Sequence, residues 1–135
     1  MISFSGFDDV IKIFDNLNDD LRMLSKLETD PRFLADLKVI LSENFDEIWS
    51  SQGGAIGENW KGNDLIDSGE LKASFKSGNI EVTVTADGIT FGTSVNYAKY
   101  VNEKYRFMGI TGSTDEKIAQ LVIKYLQTYG KTNWS

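Results

Sequence analysis

Three stretches of this chain hold residue types that could do chemistry, and each lacks something the chemistry requires. Gly53-Gly54-Ala55-Ile56-Gly57 has the glycine density of a phosphate-cradling loop, in which backbone N–H groups converge on an anion. Its spacing departs from the dinucleotide fingerprint, no Gly-Lys-Ser/Thr follows, and a helical pattern precedes it where a strand is needed. A flexible connection is the better reading. Asp15 to Asp20 is rich in carboxylates, but a calcium loop wants oxygen ligands at its first, third and fifth positions and glycine at its sixth. Leu17 and Asp20 stand at the third and sixth, which leaves a solvated helix face. Ser68 beside Gly69 lacks the G-x-S-x-G elbow that exposes a nucleophilic serine. The chain has no histidine to activate it and no cysteine to replace it. With 20 acidic residues, carboxylate pairs for glycoside chemistry can always be drawn, but nothing singles out two of them. The expectation is a protein that is not an enzyme and holds no metal or cofactor.

What remains is chemistry of contact. Trp60 lies in a glycine-rich stretch, where a large aromatic either pins the segment to the body or anchors an interface. Tyr97, Tyr100, Tyr105, Arg106 and Phe107 crowd one short region, and Trp134 lies beyond the last helical pattern. These seven are the candidate interface residues. The net charge of −6 is uneven: the acidic excess falls within residues 1–50, and the two signs balance thereafter. A negative surface repels phosphate backbones, which argues against ordinary nucleic-acid binding. Asp8, Asp9, Asp19 and Asp20 form a candidate acidic face, solvated or turned toward a channel.

The elements that would position these residues can be read from periodicity. Val10, Ile13, Phe14, Leu17, Leu21 and Leu24 recur at helical spacing over 7–27. Glu28-Thr29 should join this helix to a second, antiparallel to it, which opens on Asp30 as N-cap and Pro31 at the first helical position. Phe33, Leu34, Leu37, Ile40, Leu41, Phe45, Ile48 and Trp49 give that second helix one broad apolar face, and Gln52-Gly53-Gly54 ends it. Residues 51–69 read as a long glycine-rich loop. Ile80, Val82 and Val84 alternate with polar residues, Asp87-Gly88 is a favoured two-residue turn, and Ile89-Thr90-Phe91 returns, a hairpin within 79–93. Leu71–Lys76 suits a third strand or a short helix equally. Ser113-Thr114-Asp115-Glu116 reads as a capping box opening a helix over 113–129. Ile118, Leu121, Val122, Tyr125 and Leu126 line its apolar face, and Gly130 is its stop.

These elements imply one α+β domain over 1–135: a helical part at 7–50, a loop at 51–69, sheet and loops at 70–112, and a C-terminal helix. The small antiparallel sheet, the hairpin plus one or two further strands, should pack against the N-terminal helical pair and the C-terminal helix. Hydrophobic content of 41% with 12% aromatics suits a packed core. Residues 1–9 lack the basic and apolar segments of a signal peptide, and no apolar run approaches the roughly 18 residues of a membrane span. A cytosolic product with no membrane partner is expected.

In chain order, several of these residues form a recognisable series. Phe45 and Trp49 precede Gly57-Glu58-Asn59-Trp60. Leu65, Ser68, Gly69, Leu71 and Ser74 follow, then Phe91-Gly92-Thr93 with Tyr97-Ala98, and last Arg106-Phe107-Met108-Gly109. The series resembles the bacteriophage virion-morphogenesis, or tail-completion, family and its relatives among head–tail joining proteins. There "F…W…G..W", "iL..SG.L..S", "v.fGT…YA" and "R.F.G" stand in this order. The chain departs from the pattern after Tyr97-Ala98, where Val101-Asn102-Glu103-Lys104-Tyr105 stands and no proline follows. The resemblance implies a tail terminator: a ring, commonly of six copies, at the head-proximal end of the tail. Its partners would be further copies of itself, the tail tube protein and the head connector or stopper protein, with DNA only as passing cargo. Its location would be the host cytoplasm during assembly and the head–tail junction of the virion afterwards. The alternative from another class is a small acidic inhibitor or adaptor that covers a basic surface of a host factor, and a hydrolase is a distant third.

Overall fold

The computed structural model describes residues 2–4, 26–58, 69–85, 88–95 and 98–129. The described elements are β1 (Ile2–Phe4), α1 (Pro31–Ser50), a 3-10 turn (Gly54–Ile56), α2 (Gly69–Ser74), β2 (Glu81–Thr85), β3 (Gly88–Thr93), α3 (Ala98–Tyr105) and α4 (Gly112–Thr128). The architecture is α+β, as the periodicities require.

Helix α1 begins where its sequence says it should. Asp30 stands in an extended conformation, its Oδ1 accepts from the Arg32 N–H at 2.9 Å, and Pro31 opens the helix. The expected linker Glu28-Thr29 is not a linker: residues 26–29 are helical, and Asp30 is the one non-helical residue between them and α1. The rest of the expected first helix lies outside the described residues. Phe33, Leu37, Leu41, Phe45 and Ile48 on α1 are fully buried, while Leu34, Ile40 and Trp49 flank the core. The helix stops because Gln52 and Gly53 both take positive φ, 52° and 85°. Only glycine enters that region without steric cost, and the Gly53 N–H closes back on the Ile48 carbonyl at 2.9 Å.

Helix α4 lies antiparallel to α1. Phe33 meets Tyr125 edge-on, with ring centroids 5.4 Å apart. Ile118, Leu121, Val122, Tyr125 and Leu126 are buried on its inner face. Its start differs from the capping box expected at Ser113. The helix begins at Gly112, and Thr111 is the N-cap, its Oγ1 accepting from the Thr114 N–H at 3.1 Å. Thr111 takes the place of Ser113 because its own N–H is anchored elsewhere, as described below. At the far end the helix closes at Thr128, and Gly130 lies outside the described residues.

Two tyrosines of this end reach across to α1. The Tyr125 hydroxyl donates to Asp36 Oδ2 at 2.7 Å, and the Tyr129 hydroxyl donates to Asp30 Oδ2 at 2.6 Å. The Tyr129 bond is the foremost cause that holds the Asp30 carboxyl down at about 2, with Arg32 adding to it. A carboxyl depressed in the fold contributes stability that is full above its unfolded value near 3.8 and is lost as pH falls toward 2. Tyr129→Phe should therefore lower the urea midpoint at pH 7, and its deficit against the parent should shrink between pH 4 and pH 2. Urea titrations across that range check this; a deficit independent of pH would contradict it.

The sheet is antiparallel, in the order β1-β3-β2. Thr85 pairs with Gly88, so the two connecting residues are 86 and 87, one position earlier than the Asp87-Gly88 turn read from the sequence. Gly88, at φ 130°, already belongs to the ladder. Val82 and Val84 stand opposite Phe91 and Ile89, so the alternating face of β2 turns to the core. The third strand is β1, with Ile2 opposite Thr93 and Phe4 opposite Phe91. The segment beginning at Leu71 is helical instead, and places Leu71 and Phe75 in the core.

Helices and sheet meet at an aromatic cluster. Phe45 and Phe75 stack at 4.3 Å with planes 2° apart, and Phe107 meets both edge-on at 6.0 and 5.9 Å. Phe75 also meets Phe91 of β3 edge-on at 6.5 Å. Such geometries favour aromatic pairs beyond the area they bury.

Candidate interface cleft

The residues quoted from α2 and β3 in the sequence pattern turn out to be neighbours in space. The Ser74 hydroxyl lies 2.6 Å from the Leu71 carbonyl, the Thr93 hydroxyl donates to Ser74 Oγ at 2.8 Å, and Thr93 Oγ1 accepts from the Val95 N–H at 3.2 Å. This chain of hydrogen bonds fastens the short helix to the end of the hairpin. Both residues therefore act on the fold, and the chemistry of contact is left to the region after β3.

That region is α3 and the loop 106–111. Asn102 shapes its first half: its carbonyl accepts from the Arg106 N–H at 2.8 Å, and its Oδ1 accepts from the Met108 N–H at 3.0 Å. Arg106 ends the helix at φ 37°, a left-handed position that usually falls to glycine. Asn44 of α1, 2% exposed, shapes the second half. Its Nδ2 donates to the Gly109 carbonyl at 2.9 Å and its Oδ1 accepts from the Thr111 N–H at 3.0 Å. One buried amide thus satisfies two backbone groups of the loop and fixes the start of α4. Sequence reading passed over Asn44; a polar residue within an otherwise apolar helix face was the available signal.

Between these supports lies an open cleft of about 630 Å³. Ile56, Met108 and Ile110 supply apolar walls, while Glu58, Glu103 and Arg106 supply charge, with Asn102 and Gly109 between them. Among the described residues no ion pair engages Glu58, Glu103 or Arg106; the pair seen is Arg32 with Asp30, on the opposite end of α1. Apolar and charged side chains lining one open cleft suit a protein–protein contact.

The expected interface residues divide accordingly. Arg106 is exposed and borders the cleft. Tyr100 is 68% exposed on α3, one turn before Glu103, and Tyr105 closes that helix. Phe107 is corrected: at 1% exposure it belongs to the aromatic cluster. The left-handed turn at Arg106 sends the next side chain inward, and the core takes it. Trp60, Tyr97, Trp134 and the acidic face of Asp8, Asp9, Asp19 and Asp20 lie outside the described residues.

Glu58, Met108 and Ile110 were not among the expected interface residues, because their meeting depends on the 3-10 turn after α1. No group of three or more His, Cys, Asp or Glu side chains able to hold a metal occurs among the described residues. No helix among them is long and apolar enough to cross a membrane. Compared with models of protein families, with curated proteins and with solved structures, the chain matches none.

Proposed function

We propose that the chain is a structural tail-completion protein of a tailed bacteriophage or prophage, acting where the tail joins the head. The observation that carries this reading is the open cleft at the loop 106–111, lined by Ile56, Met108 and Ile110 together with Glu58, Glu103 and Arg106. It is the surface an assembly part needs, and it sits on the segment where the sequence resembles the family's closing loop. The hydrogen-bonded Ser74 and Thr93 give two other quoted motifs a joint scaffolding role, which suits a family defined by its architecture.

The mechanism is geometric. Each copy buries a core of α1, α4 and the sheet, and offers loops to the next copy in a head-to-tail contact. Such contacts close into a ring when the rotation allows. One rim of the ring meets the tail tube and the other the connector. A net charge of −6 discourages adhesion of the DNA that passes.

The test is a nonsense codon early in the reading frame of the source phage, followed by negative-stain electron microscopy of the lysate. Filled heads separate from tails, or tails of uncontrolled length, are the expected result. Intact virions in normal number would overturn the proposal and favour the acidic adaptor reading.

A further inference from the structure

We propose that the outer edge of β2 pairs with the same edge of a second copy, antiparallel and centred on Thr83, so that the two sheets join into one. The contact is two-fold and closes on itself, unlike the head-to-tail contact of a ring. It does not depend on the tail-completion reading.

The backbone of β2 sets the geometry. Thr85 and Gly88 face each other across a two-residue connection, which makes them a hydrogen-bonded pair of the ladder. The alternate pairs, Thr83 with Thr90 and Glu81 with Gly92, are then hydrogen-bonded too. Val82 and Val84 therefore turn their N–H and C=O groups to the outer edge. Among the described residues nothing pairs with that edge: β2 ends the order β1-β3-β2, and neither valine makes a backbone bond outside the ladder. Free edges are normally blunted by lysine, proline, a bulge or short length. Residues 81–85 contain no lysine, proline or glycine, and all five pair with β3 without a bulge. The other edge, β1, is three residues long.

The strand itself selects a second copy as the occupant. A two-fold axis at Thr83 sets Val82 opposite the partner's Val84 twice, so that each outward N–H and C=O finds its complement in four backbone hydrogen bonds. Other centres waste part of the edge. Centring on Val82 brings Ile80 opposite Val84, but the Ile80 N–H is already given to the Lys76 carbonyl at 2.9 Å. Centring on Val84 carries Val82 past the end of the partner strand. Charge agrees with the Thr83 centre. Glu81 is the one charged residue of β2 and falls opposite the partner's Thr85. The two Glu81 positions are then about 13 Å apart along the ladder, beyond the screening length of about 8 Å at physiological salt. Val82 packs only partly against the core of its own chain, and the partner's Val84 beside it extends that cover. Five edge residues per copy offer less than the roughly 800 Å² per partner of a standard interface. The pairing is therefore weak, with a Kd on the order of 0.1 mM.

Sedimentation equilibrium of the full chain between about 0.01 and 1 mM should show monomer passing to dimer. Thr83 is exposed, so Thr83→Lys and Thr83→Glu spare the core. Each sets like charges face to face and should weaken dimerisation about fivefold. An equimolar mixture of the two variants should restore it, because the facing charges are then opposite. The chain has no cysteine, so Thr83→Cys introduces a sole thiol. Facing Cα atoms at about 4.5 Å in a non-hydrogen-bonded pair lie within reach of a disulfide. Mild oxidation should therefore cross-link Thr83→Cys far faster than Ser50→Cys, exposed on α1. A monomer throughout the range, a dimer indifferent to charge at Thr83, or equal cross-linking at the two positions would overturn the proposal.

Discussion

Phe75→Ala is expected to lower stability by about 3–5 kcal/mol, the usual cost of removing a buried phenylalanine. Phe75 is 1% exposed and touches three rings: Phe45 stacked at 4.3 Å, and Phe107 and Phe91 edge-on. These rings come from α1, the loop before α4, and β3, so the cavity would open where every layer meets. Three rigid rings held by separate elements cannot collapse into it together. Urea unfolding measures the loss. Phe75→Leu, which keeps most of the volume, should cost less than half as much and remains measurable if the alanine variant fails to fold. A cost for alanine below about 1 kcal/mol would contradict a shared core at this point.

Asn44→Ala is expected to cost about 2–4 kcal/mol, although asparagine is not a hydrophobic residue. Removal of its amide leaves the buried Thr111 N–H and the part-buried Gly109 carbonyl without their partner, and an orphaned buried group costs about 1–3 kcal/mol, a part-buried one less. The effect should reach further than stability. Thr111 caps α4 and Gly109 borders the cleft, so amide exchange at Thr111, Thr114 and Met108 should accelerate well before global unfolding. The same variant should weaken any ligand of the cleft while leaving the exchange of β2 and β3 near that of the parent. Uniform acceleration across the chain would instead mean that Asn44 supports the whole core and not the loop.

Legibility in the sequence followed the range of the physics involved. Asp30-Pro31 announced the start of α1 because capping needs only neighbours two or three residues away. The apolar faces of α1 and α4 were legible because a period of 3.6 repeats within a single element. The hairpin was legible in outline, yet its turn fell one residue early. Two-residue loops depend on the register of both strands, and pairing with β1 constrains β3 as well. The capping box at Ser113 failed for a related reason. Ser113 and Thr111 are both good caps, and the contact between Thr111 and Asn44, 67 residues earlier in the chain, decided between them.

Of the residues that line the cleft, Arg106 had been named from its type and its place in a polar segment. Phe107 was misplaced because neighbours in an irregular loop have no period to sort them into inward and outward. Glu58 and Glu103 could not be paired from the sequence, since 45 positions separate them and neither is unusual alone.

The sequence by itself therefore determined α1, α4 and the hairpin as elements, the two apolar helix faces, the α+β class and the absence of histidine and cysteine chemistry. Those are properties of local spacing and composition. The tertiary structure decided that β1 joins the sheet, that Ser74 and Thr93 tie helix to hairpin, and that Asn44 fixes the loop 106–111. It also gathered Ile56, Glu58, Glu103, Arg106 and Met108 around one cleft. Those contacts join segments far apart along the chain. Their stability depends on distances and directions that no single window of residues contains.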